Sequence, residues 1–329
     1  MTPTVLICLN SPYPFWQFAN QHAERLRAGF PDVRFQSVTE ADVVRHIADA
    51  SGYFGWAFDP RWLEAARSLE WAATPSAGVD HWPVDGLTAA HVVLTRGYGY
   101  HGQPMTEHAL GLLLGFSRGL FQSNRLQTTS TWWKDELAGT FFDLAGQTLT
   151  IVGCGSIGGH LARAAQALGM HVIGVRRTPA TLSAQKVEWV PSSNVRKALA
   201  RSRAVINLLP TAEDTFHYFD RSVFASFRPG SVFINLGRAS TVEHEALLDA
   251  LSTGTLSGAA LDVLPTKPPA LDDPLRHHPR IVLTPKCATF SHTYMDQAVE
   301  FFCENLRLFL SGQPLNGVVN TSIGGPHVH

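Results

Sequence analysis

The chain has 329 residues, enough for about two domains, each with its own core. Hydrophobic residues make up 45% and charged residues 16%, and the formal net charge is -1, a balance that excludes the basic surface nucleic acid requires. The longest apolar run, ALGLLLGF at 109–116, falls far short of the roughly 20 residues that span a bilayer, so it reads as a core or subunit-interface helix and no membrane partner is expected.

The N-terminal stretch MTPTVLICLN lacks a basic n-region and its apolar part is only strand length, so no signal peptide is expected. Strand candidates then follow in order as TVLICL, VRFQS, GYFGW, EWAAT and HVVLT, separated by helical stretches. One of these opens with Asp59 as N-cap and Pro60 at the first helical position. Residues 100–122 give one long amphipathic helix candidate. From residue 148 short apolar runs alternate with amphipathic ones: TLTIV, HVIGV, VEWV, AVINLL, SVFINL, AALDVL and RIVL. They are apolar on both faces, as parallel strands covered by helices must be. In SIGGHLARAAQAL, Ile157, Leu161, Ala164 and Leu168 recur at helical spacing, and Ser240 with Glu243 makes an S-x-x-E capping box before ALLDALS. A last helix candidate spans 291–311.

This order gives an α/β fold of two doubly wound domains. A Rossmann dinucleotide-binding domain, 100–289, is inserted into a smaller flavodoxin-like substrate domain made of 1–99 and 290–329. The active site is then expected in the cleft between them. Cys8, Cys154, Cys287 and Cys303 are scattered, which suits reduced thiols in the cytoplasm and suggests no metal site. The histidines of the terminal GGPHVH read as a frayed polar tail rather than as metal ligands.

The chemistry starts at TLTIVGCGSIGGHLARAA, where a strand, G-x-G-x-x-G and a helix follow one another. Gly153 would make the tight turn, Gly155 would admit a pyrophosphate to the helix N-terminus opened by Ser156 and Ile157, and Gly158 would let helix and strand pack closely. The next strand should deliver a carboxylate if it is to grip the ribose 2′-hydroxyl of NAD. The segment offers Arg176, Arg177 and Thr178 and no carboxylate. Guanidinium groups complement a 2′-phosphate, so the expected cofactor is NADP, with NAD as the alternative. Arg238, just past SVFINL, is placed to clamp a carboxylate or polarise a carbonyl.

The set GCGSIG, LLPTAEDT, INLGRAS, SGAALDV and LTPK, with PSAGVDHW and GQPMTEHALGLLL before it, resembles the D-isomer-specific 2-hydroxyacid dehydrogenase family over nearly the whole chain. The arginines after the second strand are similar to those of its glyoxylate and hydroxypyruvate reductase members. The resemblance implies that Arg238 binds the substrate carboxylate and keto oxygen, with the amides of Gly78 and Val79 also on the carboxylate. It implies that Asp262 contacts the nicotinamide carboxamide, that Leu209 and Pro210 line the adenosine side, and that Met105, Leu236 and Gly237 border the nicotinamide ring. A small 2-keto acid is the expected substrate, and a homodimer through the 100–145 region follows by analogy.

Two positions depart from the family pattern. Lys267 stands where the family has a glutamate and Lys286 where it has the catalytic histidine. In the family mechanism an imidazolium steadied by the glutamate protonates the oxygen as hydride reaches the keto carbon. An ammonium, with an unperturbed value near about 10.4 against about 6.5 for imidazole, needs no such carboxylate. Lys286 can therefore donate directly. Arg238 and Lys267 nearby would lower its pKa, but bringing it to about 7 would need roughly 4 kcal/mol of differential interaction. Any smaller depression leaves a good donor and a poor base, hence a bias toward reduction. Lysines facing solvent in loops are the plain alternative, and His292 is a substitute donor. His277 and His278 lie on the approach to the strand rather than its exit. The substrate side chain is left open, with Trp56, Trp82, Trp132 and Tyr294 as candidate walls. From another class, a non-catalytic dinucleotide sensor of the same fold would bind NADPH without turning over a keto acid.

Overall fold

The structure, a computed structural model, describes residues 2–177 and 186–319. Thr178 and the histidine-bearing C-terminal tail lie outside the described residues. The chain divides into two compact units, one running up to His101 and resuming at Phe290, the other being Gly102–Thr289.

The first unit holds five parallel strands: β1 (Thr4–Cys8), β2 (Arg34–Ser37), β3 (Gly52–Gly55), β4 (Trp71–Thr74) and β5 (Val93–Arg96), in the order β2-β1-β3-β4-β5. This is the flavodoxin-like order. Alternation along each strand sorts side chains to two faces. Val5, Ile7, Phe54 and Trp71 meet Val299 and Phe302 of the helix Tyr294–Leu310 on one side, where Phe302 stacks on Phe54 at 4.1 Å and on Trp71 at 4.9 Å. Leu6, Cys8, Tyr53 and Ala72 meet Val43, Ile47 and Leu87 on the other. Asp59 caps its helix as expected by accepting from the Arg61 amide, although that turn is 3₁₀.

His101 closes this unit. It is buried, and its Nε2 lies 3.2 Å from the Tyr294 hydroxyl, which itself donates to the Pro75 carbonyl at 2.9 Å. The ring nitrogen is therefore the donor to the phenol oxygen. Burial pushes the imidazole down to about 4. Between that value and about 6.5 the unfolded chain binds a proton that the folded chain refuses, so stability is full above that window and falls as pH drops through it, by about 3 kcal/mol in total. Urea unfolding at pH 7 and pH 5 should show a loss of about 2 kcal/mol in the wild type, and a smaller one in His101→Gln.

The second unit holds β6 (Thr148–Val152), β7 (His171–Arg176), β8 (Val187–Pro191), β9 (Ala204–Asn207), β10 (Ser231–Asn235), β11 (Leu256–Leu261) and β12 (Ile281–Leu283), all parallel, in the order β12-β11-β10-β9-β6-β7-β8. Strand order reverses between β6 and β9, which is the switch point where open α/β sheets bind ligands. β9 and β10 are buried throughout.

Three local expectations are corrected. The helix over 100–122 breaks, Gly102–Ser117 being followed by Leu120–Leu126, because Gly119 takes φ +62° and turns the chain. The buried stripe of the helix Ser156–Ala167 is Gly158, Leu161, Ala162 and Ala165, while Leu168 is exposed. Small residues on that face let the helix lie close to the sheet. Ser240 makes no capping box. It sits in a 3₁₀ turn with its hydroxyl on Thr211, and Glu243 is the N-cap, without a side-chain cap bond. Among the described residues no helix is long and apolar enough to cross a membrane, and all four cysteines are unpaired thiols.

Candidate active site

Because every strand of the second unit is parallel, the residues that follow the strands share one edge of the sheet. After β6, Gly153 takes φ +85°, and a Cβ there would lie 2.9 Å from the backbone of Leu208 and Leu209. A Cβ at Gly158 would crowd Cys154 Sγ at 3.0 Å and Ile151 Cγ2 at 3.2 Å, whereas one at Gly155 would meet nothing within 4 Å. The turn is thus tight where it reverses, close where helix packs on strand, and open at the helix N-terminus, where Ser156 and Ile157 begin the first turn. These residues fit a dinucleotide pyrophosphate.

Arg176 ends β7, half-buried, with its guanidinium 5.9 Å from the Trp189 ring centre. Arg177 is exposed and pairs with Asp214 at 3.5 Å. A carboxylate is therefore present after all, brought in from the distant 213–215 turn. Arg176 becomes the stronger candidate for a 2′-phosphate.

Three buried side chains shape the next two loops. Asn207 Nδ2 donates to Asn235 Oδ1 at 3.0 Å and to Thr241 Oγ1 at 2.7 Å. Asn207 Oδ1 accepts from the Leu209 amide and Asn235 Oδ1 from the Gly237 amide, while Asn235 Nδ2 and the Thr241 hydroxyl donate to the Arg238 carbonyl. This network fixes Leu209 with Pro210 on one side and Leu236, Gly237 and Arg238 on the other. The backbones run so close that a Cβ at Gly237 would lie 2.6 Å from Leu209 O. Arg238 itself is half-buried and its Nη1 donates to the Gly237 carbonyl at 3.0 Å.

Past β11 and β12 the sequence reading missed a second network. The buried Asp262 carboxylate accepts from Thr284 Oγ1 at 2.6 Å, from the Cys287 amide at 2.9 Å and from the Ala288 amide at 3.1 Å. His108 Nε2 lies 3.1 Å from Thr284 Oγ1 and 3.6 Å from Asp262. The single hydroxyl proton is committed to Asp262, so His108 Nε2 carries hydrogen and donates to Thr284. The loop that presents Lys286 is thereby tied at both ends to one carboxylate. Burial, then the neighbouring Asp262 charge, pushes the Cys287 thiol up, which keeps it protonated and a poor nucleophile. Ligand atoms of His108, Asp262 and Cys287 lie within 4.8 Å of one another. The carboxylate nevertheless already accepts two amides and a hydroxyl, so hydrogen bonds rather than an open donor set define the cluster. His108 has no sequence signature, because its partners are more than 150 positions away.

Lys286 is exposed and adopts φ +55°, a left-handed conformation unusual for a residue with a side chain. Lys267 is also exposed, and nothing in the structure ties it to the cluster. Met105, one turn before His108, is buried in the unit's core. His277 and His278 precede β12 and so lie at the opposite edge of the sheet. Trp132 is 74% exposed.

In the first unit Gly78 and Val79 follow β4 and are half-buried. Neither amide donates to a backbone carbonyl among the described residues. His292 is exposed, edge-on to Phe15 at 6.3 Å.

Comparison with known proteins completes these observations. Residues 110–288 match the sequence model of the D-isomer specific 2-hydroxyacid dehydrogenase, NAD binding domain. A D-3-phosphoglycerate dehydrogenase of Mycobacterium tuberculosis is 30% identical over 81% of the chain and 49% of its own length. The chain thus spans about half the length of such relatives. Glyoxylate/hydroxypyruvate reductase B of Serratia proteamaculans is 27% identical over 98% of the chain and 99% of its own length. A solved D-isomer specific 2-hydroxyacid dehydrogenase family protein from Aeromonas salmonicida superposes with a TM-score of 0.81 at 28% identity, covering 97% of this chain and 99% of that one.

Proposed function

Because the chain belongs to the D-isomer specific 2-hydroxyacid dehydrogenase family, we propose that it is a reductase that converts a small 2-keto acid to a D-2-hydroxy acid at the expense of NADPH, with glyoxylate and hydroxypyruvate as reference substrates. One observation carries this reading. Three adjacent parallel strands, β10, β11 and β12, each place a chemically suited residue just past the same sheet edge, namely Arg238, Asp262 and Lys286, beyond the glycine turn that follows β6.

Bound NADPH would supply the hydride. The chain's own groups supply the rest. In the first unit Gly78 and Val79 offer their amides to a carboxylate; in the second, Arg238 offers a guanidinium to the carboxylate and keto oxygen, and Lys286 donates the proton to that oxygen as it gains negative charge. Asp262 holds the Lys286 loop. Lys267 has no role in this scheme. A soluble homodimer in the cytoplasm is part of the proposal, by analogy alone.

The test is NADPH oxidation across 2-keto acids of increasing side-chain size. Saturable turnover of at least one supports the reading. A second reading rests on the two exposed lysines where the family carries histidine and glutamate: a dinucleotide sensor that binds NADPH and turns over none of them.

Cofactor choice has its own expected result. Arg176→Ser should raise the KM for NADPH by about 10–100-fold, the loss of a hydrogen bond to a charged group, and change the NADH constants little. Equal or better kcat/KM with NADH in the wild type would refute the NADP assignment.

A further inference from the structure

The first unit carries an aromatic surface that the chemistry above does not use. Trp56 directly follows β3, and its amide lies 3.4 Å from the Cys8 carbonyl at the end of β1. It therefore stands at the carboxyl edge of the sheet, where open α/β folds bind ligands. Trp16, on the loop after β1, lies 5.6 Å from Trp56 and 5.0 Å from Phe290 between ring centres, and Phe15 lies 4.6 Å from Phe290.

The loop of Gly78 and Val79 is fastened to the same point. Trp82 Nε1 and His81 Nε2 both donate to the Trp56 carbonyl, at 3.3 and 2.9 Å, and the Trp82 amide donates to Val79 O at 2.9 Å. A carboxylate held on the Gly78–Val79 amides would have this aromatic face beside it.

The indole nitrogens are the informative detail. Trp71, Trp82 and Trp133 all find acceptors for their N–H groups. Trp16 Nε1 and Trp56 Nε1 are buried and have none among the described residues. A buried donor left unsatisfied is costly, and phenylalanine would give the same ring contacts without that cost. Two such donors on neighbouring rings suit a ligand that brings its own acceptor. Residues 11–18 and 290–294, which carry most of the surface, contain no lysine or arginine, so the acceptor that fits is neutral.

We propose that Trp16 and Trp56 recognise the side chain of the keto acid, and that this side chain is aromatic and bears a neutral hydrogen-bond acceptor. The proposal rests on the 2-keto acid reductase reading and specifies the end of the substrate remote from the reacting carbon.

The experiment compares kcat/KM for pyruvate, phenylpyruvate and 4-hydroxyphenylpyruvate with NADPH in the wild type, Trp16→Phe and Trp56→Phe, each checked for native circular dichroism. The expected wild-type order has 4-hydroxyphenylpyruvate first, at least 10-fold above pyruvate. At least one indole variant should lower the ratio of 4-hydroxyphenylpyruvate to phenylpyruvate by about 5–10-fold, the worth of one neutral hydrogen bond. Pyruvate ranked first, or ratios unmoved in both variants, overturns the proposal. Should no keto acid be turned over, the reductase reading fails separately, and saturation-transfer NMR with 4-hydroxyphenylpyruvate decides. Transfer to its ring protons that weakens in Trp16→Phe or Trp56→Phe supports the site, and no transfer, or transfer indifferent to both, overturns it.

Discussion

Replacing Lys286 by alanine is expected to lower kcat for keto-acid reduction by about 10²–10⁴-fold, the range for a lost general acid, while NADPH still binds. In the proposed mechanism the ammonium is the donor, because the position just past β12 holds no imidazole, and Asp262, Thr284 and His108 anchor the loop that carries it. Truncating the lysine keeps those Asp262, Thr284 and His108 bonds. The backbone at φ +55° supplies a control. Glycine adopts that conformation without strain, whereas alanine shares the strain of lysine. Lys286→Gly should therefore be at least as stable as Lys286→Ala and equally inactive. If stability and activity instead rise together in the glycine variant, the loss in the alanine variant is a folding effect. His292→Ala should cost little, and a loss comparable to that of Lys286→Ala would transfer the donor role to His292.

The second large effect is expected at Arg238. Alanine there should reduce kcat/KM for the keto acid by about 10²–10³-fold, as the loss of a donor aimed at developing oxyanion charge does. Lysine should restore only a small part, since a point charge cannot reproduce a planar fork on carboxylate and carbonyl. The Arg238 main chain is held by Asn235 and Thr241 through bonds to its carbonyl, which a change of side chain leaves in place. Near-complete rescue by lysine would mean that only charge is needed there.

Much of this was legible in the sequence because the signals are local. The strands are short apolar runs, the glycine turn is one contiguous motif between a strand and a helix, and Arg238 and Lys286 each sit within three residues of a strand end. What escaped depends on contacts between distant segments. Asp214 reaches Arg177, and His108 reaches Thr284, only once the sheet is assembled. Ser240 and Glu243 match a capping pattern, yet the turn at Ala239–Thr241 is set by Asn207 and Asn235, and tertiary bonds override the short-range preference. Helical spacing found a helix after the glycine turn and placed Ile157 and Leu161 against the core, but it extended the stripe to the exposed Leu168, whereas Gly158, Ala162 and Ala165 complete the buried face. The left-handed backbone at Lys286 carries no glycine to announce it. Nor can composition show which of eight tryptophans keep an unsatisfied N–H.

The pH dependence of kcat for wild-type reduction tests the donor assignment most directly. Unperturbed ammonium and imidazole groups differ by about 4 pH units, near 10.4 and 6.5. With Lys286 as donor, kcat should stay flat from about pH 6 to about pH 8 and decline only above that, and oxidation of the D-2-hydroxy acid near pH 7 should be feeble. A decline centred near pH 6.5 that disappears in His292→Ala would contradict it.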